Sequence, residues 1–156
     1  MFPAYVANMV PVLVRRISWD CPMDFNLKFA GKRVLGSHKT WKGFLFGIVG
    51  ALLTGFFMQL YWPFDFSVFL WSFLVGFGAL FGDCVKSFFK RRLNIKPGSS
   101  WIPFDQVDYS VGALFCGSFI YFPGWWQSFF IVIVSFVLHI LINHLAFFLR
   151  IRNEKW

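Results

Sequence analysis

The sequence predicts an all-α, polytopic transmembrane helix bundle built as a single domain over residues 1–156, and three observations carry that prediction. The chain is 58% hydrophobic and only 14% charged. Phe supplies 24 of its 156 residues, more apolar surface than a soluble domain of this length can enclose, so lipid must solvate part of it. The apolar residues form long runs, and all 15 Lys and Arg residues fall in alternate connections between those runs.

Taken in order, residues 1–14 are apolar but give only about 21 Å of helix, short of a hydrocarbon core of about 30 Å. They stand as a half-span, a re-entrant piece or the remnant of a longer first helix. A cleavable signal peptide is not expected, because no basic n-region precedes the stretch and no small-residue cleavage site follows it. Residues 43–62 form the first clear span, with only Thr54 and Gln59 strongly polar. Pro63 and Asp65 then turn the chain into a second span, 66–81. The third is 109–122, ended by Pro123-Gly124, and the fourth is 125–149, with Trp125 and Trp126 as an interfacial anchor. Four spans plus a partial N-terminal one are therefore expected.

The cations orient this bundle. Lys and Arg fill the loop 15–42, the loop 83–108 and the tail 150–156, while the connections around Pro63 and Pro123 carry none. By the positive-inside rule the charged side is cytoplasmic, in a cell membrane. The net charge of +8 thus reads as orientation and not as nucleic-acid binding. Cys21, Cys84 and Cys116 are isolated, without C-x-x-C spacing, and suggest neither zinc nor a disulfide framework.

Chemistry is expected on that charged face. Spans 66–81 and 109–122 give only about 24 and 21 Å of helix, so their polar flanks are drawn to the membrane edge. Those flanks are Gly82-Asp83 and Asp105-Gln106-Val107-Asp108. A carboxylate at that depth is costly unless paired, hydrated or metal-bound. Asp105 and Asp108, three apart, share one face of a helix start that follows Pro103. Capping of the helix dipole accounts for one of them, and a magnesium site of hard oxygen ligands accounts for both. The second span should run on through Asp83 to Arg92, placing Asp83, Ser87, Lys90 and Arg91 on one polar face. That face could hold metal and phosphates together, or anchor the helix by snorkelling.

Ser37-His38-Lys39-Thr40-Trp41-Lys42-Gly43 precedes a helix and reads as an anion-binding N-terminus or a basic anchor with an interfacial Trp. Lys96-Pro97-Gly98-Ser99-Ser100 is a turn that could offer backbone N–H groups to phosphate. Ser135, His139 and Asn143 form a polar stripe suited to helix packing. No Ser-His-Asp arrangement or Walker loop is visible. Carboxylates plus cations, with no evident general base, suit phosphoryl or nucleotidyl transfer, where positioning and charge neutralisation dominate.

At these residues the chain resembles the CDP-archaeol synthases, relatives of bacterial phosphatidate cytidylyltransferases. The resemblance rests on Pro3-Ala4-Tyr5-Val6-Ala7-Asn8 with Pro11, on Gly36 and Lys39-Thr40-Trp41-Lys42-Gly43, on Gly82-Asp83, on Ser87-Phe88-Phe89-Lys90-Arg91-Arg92, and on Asp105-Gln106-Val107-Asp108. It implies five spans and CTP-dependent conversion of an archaeal-type ether lipid phosphate to CDP-lipid and pyrophosphate, with magnesium as one ion or two. By the same resemblance Asp83, Asp105 and Asp108 would hold metal and, with Ser87 and Lys90, form the catalytic set. Lys39, Thr40, Trp41, Lys86, Arg91 and Arg92 would contact CTP or the lipid phosphate, and the last helices and Phe-rich walls would take the lipid tails. The larger bacterial enzymes carry a His-Gly-Gly that is absent here, so their ligand set does not transfer whole. The alternatives are the same reaction on diacyl phosphatidate, or a non-enzymatic transporter or scaffold whose acidic residues line a path. The oligomeric state is open, with a homodimer among the options.

Overall fold

The structure, a computed structural model, describes residues 1–14, 17–36, 38–62, 64, 66–95, 99 and 101–148. The Pro63/Asp65 turn, Arg15, Arg16, Ser37, Lys96-Pro97-Gly98, Ser100 and the basic tail 150–156 lie outside the described residues. Five helices follow one another: α1 (Phe2–Leu13), α2 (Trp41–Tyr61), α3 (Val68–Arg92), α4 (Phe104–Gly117) and α5 (Trp125–Phe148). A small hairpin, β1 (Lys28–Phe29) with β2 (Lys32–Arg33), sits in the α1–α2 loop.

Local chemistry sets the helix boundaries. The Thr40 hydroxyl accepts from the Gly43 amide at the start of α2, and Ser67 does the same for Leu70 at the start of α3. Helix α3 continues unbroken for 25 residues, about 37 Å, and its last turn carries Lys90, Arg91 and Arg92, favourable against the C-terminal dipole. The expected extension of the second span through Asp83 to Arg92 is therefore present.

Three helices, not four, are long and apolar enough to cross a membrane among the described residues: Trp41–Tyr61, Val68–Arg92 and Trp125–Leu145. The segment expected as the third span is α4. It has 14 residues, about 21 Å, and begins earlier than expected because Asp105 to Asp108 are themselves helical. It ends at Gly117, where the chain turns. Helix α1 is apolar and of sub-spanning length, with Pro3, Ala4 and Ala7 buried.

Helix α3 is central, packing against α1, α2 and α4, while α5 packs on α4. The contacts are made by small residues, as expected where lipid removes the hydrophobic drive between helices. Against α1, Gly47 of α2 leaves so little room that an added Cβ would stand 2.8 Å from the Ala7 carbonyl oxygen. Between α3 and α4, Gly78 and Gly112 bring backbone against backbone, and Gly82 lies against the Asp108 carbonyl. Large apolar side chains point outward instead, including Phe56, Phe57, Phe69, Phe129 and Phe130. The polar stripe of α5 faces the bundle. Ser135 Oγ lies 2.9 Å from Tyr5 Oη, its carbonyl accepts from Tyr109 Oη at 3.2 Å, and His139 packs edge-on against Tyr109.

Gly112→Ala should force α4 away from α3 and destabilise the protein by about 1–3 kcal/mol. Val111→Ala, on the exposed face of α4, should be nearly neutral. Thermal unfolding in detergent compares the two.

Candidate active site

Three segments meet at one end of the bundle: the start of α2, the C-terminal half of α3 and the first turns of α4. On α3, Asp83, Lys86 and Lys90 fall at i, i+3 and i+7 and so share a face. On α4, Asp105 and Asp108 share the facing side. The Gly82–Asp108 backbone contact presses these two faces together.

The outcome is a cluster of three carboxylates and three ammonium groups. Lys86 Nζ lies 3.0 Å from Asp83 Oδ1, 3.1 Å from Asp105 Oδ1 and 2.8 Å from Asp108 Oδ2. Lys90, itself buried, donates to both carboxylate oxygens of Asp105 at 3.1 and 3.0 Å and to the Ser99 carbonyl at 2.6 Å. Lys39 Nζ pairs with Asp83 Oδ2, tying the start of α2 to α3. The Trp101 amide donates to Asp105 Oδ2 at 2.6 Å.

The two α4 carboxyls titrate in opposite directions. Burial opposes ionisation of Asp105, but the Lys86 charge and hydrogen bonds from Lys90 and Trp101 outweigh it and hold the group below the usual carboxylate range. At Asp108 burial wins over Lys86 and pushes the carboxyl up to about 6. The difference matches the surroundings: the Asp108 side chain is more deeply enclosed than that of Asp105, and the neighbouring Asp83 charge pushes in the same direction as burial.

The remaining expected residues divide by what they touch. Thr40 caps α2, as above. Trp41 packs against Phe25 and Phe44, with its indole N–H buried and unbonded. Ser87 donates to the Asp83 carbonyl at 2.8 Å, so its hydroxyl is turned onto its own helix. Arg91 lies against Gly36, whose φ of +90° and missing side chain let the loop pass close to the guanidinium. Arg91 Nε is buried without a hydrogen bond. Arg92 reaches away from the carboxylates: it donates to the Phe29 and Arg33 carbonyls and stacks over Phe29 and Phe88, clasping the hairpin to α3.

Sequence reasoning overlooked Asp24, which organises the loop over the site. Its buried carboxylate accepts from Arg33 Nη2 at 2.7 Å and from the amides of Asn26, Leu35 and Gly36 at 3.1–3.2 Å. Burial opposes its ionisation, but Arg33 and the amides hold it below the usual carboxylate range. Likewise Lys42, buried at the start of α2, donates to Asp20 at 2.8 Å and to the Ile17 carbonyl at 2.5 Å. The signal was there: Asp20 and Asp24 are the carboxylates of an otherwise basic loop, and Asp24 stands two before Asn26, the spacing of an Asx-turn.

No set of three His, Cys, Asp or Glu side chains is arranged as a ready metal site among the described residues. The donor chemistry nonetheless suits a hard divalent cation. Three carboxylates, all oxygen donors, converge on one positive centre, with Asp108 Oδ2 enclosed against it. The centre they converge on is the Lys86 ammonium.

Fold and site together define a multi-pass membrane protein with a charge-balanced polar centre at one end of its bundle. Comparison with known proteins specifies which. The model of the CarS-like, CDP-archaeol synthase family matches residues 1–156. A CDP-archaeol synthase of Thermofilum pendens is 40% identical over all of this chain and 78% of its own length, and one of Archaeoglobus fulgidus is 34% identical over all of this chain and 94% of its own. A solved structure described as an intramembrane enzyme for archaeal membrane lipids biosynthesis superposes with a TM-score of 0.82 at 30% identity, covering 92% of this chain and 89% of that one. The chain belongs to the CDP-archaeol synthase family, and it is an enzyme, a membrane-bound nucleotidyltransferase.

Asp24→Ala should leave the Leu35 and Gly36 amides and Arg33 without their acceptor, at a cost of about 3–5 kcal/mol to the loop. Hydrogen exchange should show residues 22–36 deprotected while α3 keeps its protection. In the wild type the Asp24 contribution is present above the ordinary Asp pKa of about 4 and is lost as pH falls through its lowered value in the folded protein.

Proposed function

We propose that the protein transfers the cytidylyl group of CTP to an archaeal-type ether lipid phosphate, giving CDP-lipid and pyrophosphate, with the cluster of Asp83, Asp105 and Asp108 as the reaction centre. The observation that carries this reading is the convergence of three carboxylates and three lysines from α3, α4 and the loop before α2 at the charged end of the bundle.

Asp83, Asp105 and Asp108 would hold magnesium, which when bound offsets the charge of the phosphates. In this reading Lys39, which pairs with Asp83, and Arg91, two turns further along α3 from Asp83, take the CTP triphosphate. A phosphate oxygen of the lipid attacks the α-phosphorus of CTP, forming the new P–O bond as the α–β bridge breaks and pyrophosphate leaves. A phosphate monoester has its second pKa near 6, so the nucleophile is already largely ionised. That is consistent with a site in which the Ser87 hydroxyl is bonded to its own helix and no histidine joins the carboxylates.

Helix α4 relates headgroup to tails. An apolar cleft of ≈ 200 Å³, lined in part by Trp71, Val75, Ala113, Gly117 and Ile131, opens toward the end of α4 opposite Asp105. A lipid phosphate at the cluster would lay its chains along this helix. The cluster faces the cytoplasm in this reading, since the described Lys and Arg gather at the cluster end of the bundle.

The test is purified protein in detergent with labelled CTP, magnesium, and ether-lipid phosphate or diacyl phosphatidate in parallel. CDP-ether-lipid with stoichiometric pyrophosphate is expected. Product from phosphatidate alone overturns the lipid assignment, and no product from either overturns the reaction. Asp105→Asn and Asp108→Asn should each lower turnover by about 10²-fold or more while remaining folded and monodisperse. Lys39→Ala should raise the KM for CTP by about tenfold, the worth of one charge-assisted contact. An unchanged KM removes Lys39 from the nucleotide site.

A further inference from the structure

Lys86 is the one side chain that touches all three carboxylates among the described residues. Lys39 meets only Asp83, on Oδ2, leaving Oδ1 to Lys86, and Lys90 approaches Asp105 from the Ser99 side. The Lys86 ammonium therefore stands at the centre of the oxygen set, 2.8–3.1 Å from each ligand. Magnesium binds oxygen at about 2.0–2.1 Å. An ion within that reach of the same oxygens and an ammonium at 3 Å from each would overlap, so both cannot hold the centre. The Asp108 oxygen makes the same point, having the Lys86 ammonium at 2.8 Å as its ion-pair partner.

We infer that Lys86 is an internal counter-ion that fills the carboxylate centre when no divalent cation is bound, and that it is expelled on metal loading to face the phosphates of the nucleotide. The inference rests on the metal-assisted reading above. It gives Lys86 two positions. In one it neutralises three half-buried carboxylates that would otherwise repel one another. In the other its charge, tethered beside the centre, meets the triphosphate that arrives with the metal. The unbranched stem of lysine, with its four rotatable bonds, permits the change without moving α3. Metal affinity is thereby set below what three carboxylates alone would give, and a metal ion that brings a nucleotide with it regains part of the loss.

The experiment is Mn²⁺ binding, followed by electron paramagnetic resonance on purified protein in detergent without CTP or lipid. Lys86→Met should bind Mn²⁺ about tenfold or more tightly than wild type, since a unit charge in contact is worth at least that at an effective dielectric of about 20. Lys86→Gln, which keeps a polar group in the cluster, should shift in the same direction and serves if Lys86→Met does not fold. Lys39→Met removes the same charge from the edge of the cluster and should tighten binding less. In thermal unfolding, Lys86→Met should lose stability in EDTA and regain it with Mg²⁺ by a larger shift than wild type. Equal or weaker Mn²⁺ affinity in both Lys86 variants, or a gain no greater than that of Lys39→Met, overturns the inference. If wild type still turns over CTP, that result leaves the proposed reaction standing. Absence of Mn²⁺ binding in every variant removes the metal-assisted reading along with it.

Discussion

The backbone contact between α3 and α4 is the constraint on which the rest of the structure depends. At Gly78, Gly82 and Gly112 the two helices approach until no Cβ fits between them. Lipid offers no hydrophobic gain for such an approach, so it must come from close packing of backbone on backbone. Its chemical consequence lies one turn further along. With Gly82 against the Asp108 carbonyl, Asp83 on α3 and Asp108 on α4 come within reach of one Lys86 ammonium. A wider crossing would let water between them, and the carboxylates would behave as ordinary surface acids.

Having forced the carboxylates together, the fold must neutralise them, and it does so with lysines from α3 and from the loop before α2. Asp83 takes Lys39 and Lys86, Asp105 takes Lys86 and Lys90, and Asp108 takes Lys86. Buried ion pairs rarely contribute net stability, because desolvation offsets the Coulombic gain. A centre of this kind is therefore not accounted for by stability alone. The contrast with Arg92 and Lys42 is informative. Both are equally cationic and close by, yet they donate to backbone carbonyls of the loop, with Lys42 also pairing with Asp20. Part of the positive charge builds the cover over the site, and another part faces its centre.

What the sequence made legible follows from which interactions are local in the chain. Charge asymmetry and long apolar runs report the membrane because each is a property of composition over a window. The α3 face bearing Asp83, Lys86 and Lys90, and the Asp105/Asp108 pair, could be read from helical spacing. The family resemblance supplied the grouping of the carboxylates across two helices, which spacing within one helix cannot. The missed features are long-range or lie in loops. The Lys28–Arg33 hairpin turns at Ala30-Gly31, both at positive φ, and Ala30 gives no hint of that conformation. Asp24 matters through amides at Leu35 and Gly36, contacts that no periodicity encodes. The third expected span failed for another reason: hydropathy alone located the apolar stretch 109–122, whereas the helix began with the acidic turn that hydropathy had excluded.

That failure bears on how the site works. A full-length span would keep Asp105 and Asp108 outside the hydrocarbon, where water could hydrate them. A 14-residue helix begun by those residues and packed against a 25-residue one instead meets α3 at the level of Asp83, well before that longer helix ends at Arg92. The acidic turn is thus flanked by protein on the α3 side, while Asp24 and Arg92 hold the α1–α2 loop against the end of α3. Helix α3 carries Arg91 and Arg92 on beyond that level. The difference in length between two neighbouring helices thus sets the charged cluster at the start of the shorter one and within the run of the longer.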